Sequence, residues 1–79
     1  MPYFEFIWPP GTIDHLDEHG VSQADFEYVV TQPERVEFSR TSGLPAVRGH
    51  TPDGRYIFAV YRIIDDVTIE PVTAYEIEE

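Results

Sequence analysis

Arg48 and His50 stand two residues apart, and Arg55 and Arg62 follow shortly after them. These residue types supply the parts for cutting RNA without a metal. Such a reaction needs a base for the 2′-hydroxyl, cations to hold the phosphate and an acid for the leaving oxygen. Arginine offers phosphate a rigid fork of donors and stays charged at any working pH. Histidine exchanges a proton near neutrality. Arg48, His50 and Arg55 therefore form a candidate catalytic set that calls for no cofactor and no metal. A plainer reading competes with it. The same arginines can pair with Glu37, Asp53 and Glu70 across neighbouring strands, as exposed cross-strand ion pairs worth well under ~1 kcal/mol each.

The charge pattern leaves both readings open. The formal net charge is −10, yet all five basic residues are arginines lying between Arg35 and Arg62. The residues before Arg35 contain acids and no Lys or Arg, and so do those after Arg62. Between them only Glu37 and Asp53 oppose Arg35, Arg40, Arg48, Arg55 and Arg62. The total charge opposes the phosphate contacts that usually dominate RNA affinity. The middle segment still allows one cationic face in an acidic body, and acidic flanks suit a basic or neutral protein partner.

The elements that must position these residues are legible from pattern. Tyr3 to Trp8 is aromatic-rich and alternates, which predicts a first strand ended by Pro9-Pro10-Gly11. Thr12 is placed to cap a short helix from Ile13 to His19, with Ile13 and Leu16 on one face and Gly20 ending it. Ser22 caps a second helix from about Gln23 to Thr31. Asp25 completes a capping box, Val21 and Phe26 form a hydrophobic staple, and Pro33 ends the helix. From Glu34 onward the period becomes two. Strands are predicted over Arg35 to Arg40, Ala46 to Thr51, Arg55 to Ile64 and Val67 to Ile77. Pro52-Asp53-Gly54 makes a hairpin turn. The run from Arg55 is apolar on both faces apart from Arg62, which marks a central strand covered on both sides. Pro71 cannot donate to a ladder and implies an edge or a bulge. The expected fold is α+β: two N-terminal helices packed on a four- to five-stranded, mostly antiparallel sheet.

Other residue groups have structural explanations. His15 and His19 project to one side of the first helix, but the Glu that a metalloprotease helix needs after its first His is replaced by Leu16. No metal site is expected there. Asp14 and Asp17 complement the positive start of the same helix. Ser22 is occupied as a cap and lacks the Gly-x-Ser-x-Gly setting of a nucleophile. The 79 residues make a single domain, and 42% hydrophobic content with 14% aromatic residues is ample for one core. The absence of cysteine excludes disulfide and zinc–thiolate scaffolds. No signal peptide, membrane span or membrane partner is expected, and a cytoplasmic location is anticipated.

Several of these positions resemble one family. Trp8, the run His15-Leu16, the junction His19-Gly20-Val21-Ser22, Pro33 and the pair Arg48-Gly49 with Gly54-Arg55 together resemble the BrnT toxins. These are small proteins of bacterial type II toxin–antitoxin systems, and the likeness covers roughly residues 6 to 75. The resemblance implies a fold similar to RelE-type ribonucleases and RNA cleavage from a basic surface of the sheet. It also implies silencing by a cognate antitoxin. Arg48 and Arg55 carry over, and His19 and Gly20 match the helix junction. The chain departs from the family where Thr73-Ala74-Tyr75 replaces an Ala-Arg step, and in having no lysine.

Two functions of different class follow. One is a metal-independent endoribonuclease using Arg48, His50 and Arg55, with Arg62, Tyr61, Tyr75 and Arg40 as RNA- or partner-binding residues. The other is a non-catalytic module on the same scaffold that binds a protein partner or forms a homodimer, its aromatic residues, Tyr3 among them, serving as anchors. The first requires Arg48, His50 and Arg55 exposed on one face with their carboxylate neighbours turned away. The second predicts arginines held in ion pairs beside an exposed apolar patch.

Overall fold

The computed structural model describes residues 4–78; Tyr3, proposed above as an anchor, lies outside them. Seven elements follow in the order β1 (Glu5–Phe6), α1 (Thr12–Glu18), α2 (Gln23–Thr31), β2 (Arg35–Phe38), β3 (Pro45–His50), β4 (Tyr56–Ile63) and β5 (Thr68–Glu76). The strands form one mixed sheet in the order β1-β5-β4-β3-β2. Only β1 with β5 is parallel; the other three pairings are antiparallel. The α+β expectation holds, with a short strand preceding the two helices.

The helix starts follow from their caps. Ser22 Oγ accepts the Asp25 N–H at 3.1 Å, and Asp25 Oδ2 accepts the Ser22 N–H at 3.3 Å, so the capping box closes in both directions. Helix α1 differs from expectation. Gly11 is its N-cap, at φ +90°, and Thr12 is already helical. Pro9 and Pro10 carbonyls both accept the Thr12 N–H, which tightens the entry. Ile13 is exposed, because on so short a helix Leu16 alone reaches the core.

Both helices cover one face of the sheet. Leu16, Val21, Phe26, Val29 and Val30 meet Val47, Ile57, Ala59, Ile69 and Ala74 there, with Phe6, Trp8 and Tyr61 packed at the margin. Phe26 is fully buried and contacts Phe6 and Trp8 edge-on, with ring centroids 6.3 and 5.4 Å away. Such aromatic pairs add about 0.5–1.5 kcal/mol each to the burial term. The opposite face is open except for a small cluster of Ala46, Phe58 and Val60, flanked by Leu44, Val72 and Ile77. Strand β4 is central, as its two-sided apolar run predicts.

Two residues without side-chain chemistry shape the sheet. Gly49 lies on the helix face, where a Cβ would meet Val29 Cγ1 at 3.2 Å and the backbone of Glu34 and Gln32 at 3.6 and 3.7 Å. Val29 is itself fully buried, so it has little room to yield. Gly49→Ala is expected to lower stability by ~1 kcal/mol, overpacking outweighing the entropy that Ala removes from the unfolded chain. A urea melt checks this, and an unchanged midpoint would show that α2 shifts freely. Pro71 resolves as a bulge on an inner strand. The register moves from Tyr61↔Pro71 to Val60↔Thr73, so β5 carries one extra residue opposite β4. On its other side Pro71 comes just after the last β1 pair, Phe6↔Ile69. Its missing N–H ends the parallel ladder after Phe6, so Ile7 and Trp8, expected in the first strand, do not extend it.

Candidate functional site on the open face of the sheet

Alternation along β2, β3 and β4 brings Arg35, Glu37, Arg48, His50, Tyr56 and Phe58 to the open face. Arg48 is the centre of this group. Its guanidinium lies 5.3 Å from the centroid of the Phe58 ring, within cation–π range. Phe58 in turn contacts Tyr75 of β5 at 5.6 Å between centroids. Arg48 Nη2 donates to Glu37 Oε1 at 3.1 Å, and Nε faces Oε2 at 2.9 Å without hydrogen-bond alignment. Glu37 also attracts Arg35 at 3.6 Å. A hollow of about 230 Å³ opens beside them, lined by Arg40, Arg48, Phe58 and Tyr75 among others. Ligand clefts usually hold about 300–1,000 Å³, so this hollow is smaller than a typical small-molecule site.

His50 points to the same side and is held by a carboxylate. Glu34 Oε2 accepts from the His50 backbone N–H at 2.9 Å and lies 2.7 Å from His50 Nδ1. A carboxylate at this pH can only accept, so Nδ1 carries the proton in this contact. Tyr56 flanks the imidazole at 4.8 Å between centroids.

Arg55 does not join them. Its side chain turns to the helix side and fastens the β3–β4 hairpin to the helix junction. Nη2 donates to Asp25 Oδ2 at 2.6 Å, Nε to Asp53 Oδ2 at 3.0 Å, and Nη1 to the Gly20 carbonyl. Gly20 holds φ +75°, which turns its carbonyl out of the chain reversal toward this arginine. Burial works against the Arg55 charge, but Asp53 and Asp25 outweigh it and hold the group more firmly protonated. The catalytic set expected from sequence is thus divided, with Arg48 and His50 on the open face and Arg55 in a structural clamp. Tyr61 also belongs to the helix side, where burial raises the pKa of its hydroxyl. Arg62 lies toward the far end of β4 and pairs with Glu70 at 3.0 Å. Tyr75 and Arg40 do border the Arg48 hollow.

All three ion pairs of the plainer reading form: Arg48 with Glu37, Arg55 with Asp53 and Arg62 with Glu70. The pairings of Glu34 with His50 and of Asp25 with Arg55 were not expected from sequence. Glu34 falls just outside a strand, and Asp25 already had a role in its capping box, so neither spacing announced a second partner. Phe58 was hidden in an apolar run whose outward half also packs. His15 and His19 sit edge to face at 5.0 Å, with His15 Nε2 3.0 Å from Thr73 Oγ1. Among the described residues, no cluster of His, Asp and Glu could hold a metal ion. No helix there is long and apolar enough to cross a membrane.

The carboxylates of this network set an acid limit. Hydrogen bonds from the His50 ring and then its backbone N–H hold Glu34 below its ordinary 4.5. The Thr51 hydroxyl, followed by Arg55, holds Asp53 below its ordinary 3.8. The Val67 N–H, then Thr68, does the same for Asp65. Each group binds protons more weakly folded than unfolded. The stability it adds is therefore present above the unfolded value and lost as pH falls through the folded one. Melting temperature should hold steady from neutrality to about pH 5 and fall below that. Glu34→Gln should flatten the first part of the fall; a wild-type melting temperature unchanged down to pH 3 would refute this assignment.

Comparison with protein-family models, with curated proteins and with solved structures gave no match. The fold and site define an α+β protein with one helix-covered face and one open face on which Arg35 and Arg48 share the carboxylate of Glu37 and His50 is held by Glu34.

Proposed function

We propose that this chain is a toxin-related protein of the BrnT kind from a type II toxin–antitoxin system, and that it acts by binding a protein partner rather than by cutting RNA. The observation that supports this is the pairing of four of its five arginines with carboxylates. Arg35, Arg48, Arg55 and Arg62 all sit within 4 Å of carboxylates of the same chain. An RNA phosphate would have to displace those partners while approaching a body of net charge −10. A protein partner gains instead from the accessible surface formed by Tyr75, Arg40 and the half-buried Arg48. The resemblance names an antitoxin as that partner.

One observation favours the ribonuclease as a second reading. Glu34 fixes the His50 imidazole on the same face as Arg48, the arrangement that orients a general base. In that reading His50 takes the 2′-hydroxyl proton and Arg48 holds the phosphate, without Arg55. Induced expression and incubation of purified protein with labelled RNA decide between them. We expect normal growth and no cleavage above buffer for wild type and for Arg48→Ala/His50→Ala alike. Growth arrest and cleavage by wild type, both lost in the double variant, would replace the binding reading with the catalytic one.

A further inference from the structure

The sheet has two edges, and they are not alike. One is β1, two residues long, with Pro71 ending its ladder. The other is β2, whose outer side is bare among the described residues. The Ser39 N–H bonds to Leu44 O at 2.8 Å in the same register that pairs Glu37 with Ala46 and Arg35 with Arg48. Alternation then directs the backbone groups of Arg35 and Glu37 toward β3. Those of Val36 and Phe38 point away from the sheet. The side chains of these two residues are also bare, at 68% and 71% exposed. Apolar side chains on a free backbone edge form a template for a further strand, and natural edges usually carry a lysine, a proline or a bulge to prevent it. Residues 35–38 carry no lysine and no proline, and their two charges, Arg35 and Glu37, lie on the open face, leaving the face of Val36 and Phe38 without a charge.

We propose that this edge joins two copies of the chain, their β2 strands pairing antiparallel across a two-fold axis at Glu37. Centring on Glu37 sets Val36 opposite the partner's Phe38 and Phe38 opposite the partner's Val36. These are the residues whose N–H and C=O groups are unused, so both ladder pairs close. On the helix side an aliphatic and an aromatic side chain then meet twice, a favourable cross-strand combination. On the open side Arg35 lies diagonal to the partner's Glu37. Arg35 is 70% exposed and only 3.6 Å from its own Glu37, free to bridge both. Two glutamates meeting at the axis are thus surrounded by Arg35 and Arg48 from each copy.

Charge argues for a second copy at this place. Residues 35–40 hold two arginines against one carboxylate, while the whole chain carries −10. Two copies approaching elsewhere would bring acidic surfaces together; here the two facing glutamates are outnumbered by arginines. The contact is isologous and closes on itself, making one ten-stranded sheet from two of five. The two open faces become continuous across the axis, and this holds whether or not that face is catalytic.

Light scattering during gel filtration, repeated over a range of concentrations, tests the proposal. Wild type should move from 9.1 kDa toward twice that mass as concentration rises. Val36→Lys/Phe38→Lys should stay at the monomer mass with an unchanged far-UV spectrum, since both side chains are exposed. The chain has no cysteine, so Glu37→Cys gives an independent readout of the axis. Mild oxidation should convert it to a covalent dimer, while Ile63→Cys, exposed at the other end of the sheet, should remain largely monomeric. A wild type monomeric throughout would overturn the proposal and leave the edge to a strand from another protein. Dimerisation of the lysine variant, or equal crosslinking at 37 and 63, would overturn it as well.

Discussion

Phe26→Ala is expected to cost about 3–5 kcal/mol and to leave little folded protein at 37 °C. A domain of this length has only about 4–12 kcal/mol in total. The magnitude follows from position. Phe26 is fully buried and packs from α2 against the sheet, Phe6 of β1 and Trp8 just after it. Its removal opens a space that Phe6 and Trp8 cannot both fill. Phe6 is held by the β1 ladder, and Trp8 Nε1 is tied to Glu27 Oε2 at 3.0 Å. Urea unfolding followed by circular dichroism measures the loss. A loss under about 1.5 kcal/mol would show that the neighbouring rings collapse into the gap.

Arg55→Ala is the second large effect, expected at about 2 kcal/mol, the range for losing charged hydrogen bonds and leaving a partly buried partner without its cation. In a domain this small that lowers the melting temperature by about 8–16 °C. Asp25 carries most of the consequence, since it is the more buried of the two acids and lies 2.6 Å from Arg55. A double-mutant cycle separates this from general damage. Arg55→Ala/Asp25→Ala should lose clearly less than the sum of the single changes. Strict additivity would mean that the clamp contributes nothing as a pair. Because this arginine supports the fold, a loss of any activity in Arg55→Ala says nothing about chemistry until stability is measured beside it.

The elements were more legible in the sequence than the site. Ser22, Asp25 and Pro33 mark both ends of α2, and the two-sided apolar run from Arg55 identifies the central strand. These signals are local, each a matter of a few neighbouring residues. The division of the arginines was not local. Arg48 and Arg55 flank one hairpin, and sequence distance suggested that they work together. Arg55 precedes the first ladder residue of β4, so strand alternation does not fix its direction. It follows the carboxylates at the helix junction instead, thirty residues earlier in the chain. The link of Glu34 to His50 escaped notice for the same reason, since it depends on how the chain turns out of α2 into β2. The exposure of Val36 and Phe38 was equally unreadable. Alternation sets both on one face of β2 but not whether that face is covered; α2 packs over β3 and β4 and leaves β2 bare.

The one parallel pairing has a consequence for the order in which the protein assembles. β3 and β4 are neighbours in sequence, joined by one tight turn, and so are β4 and β5. Their contacts close short loops and can form early. Glu5↔Thr68 joins opposite ends of the described chain, and its loop entropy is recovered only after the intervening sheet exists. β1 is therefore expected to join late in folding, after the rate-limiting state. Weakening it would hasten unfolding while leaving the rate of folding almost untouched. The segment that completes the aromatic core is thus also expected to be the first to let go.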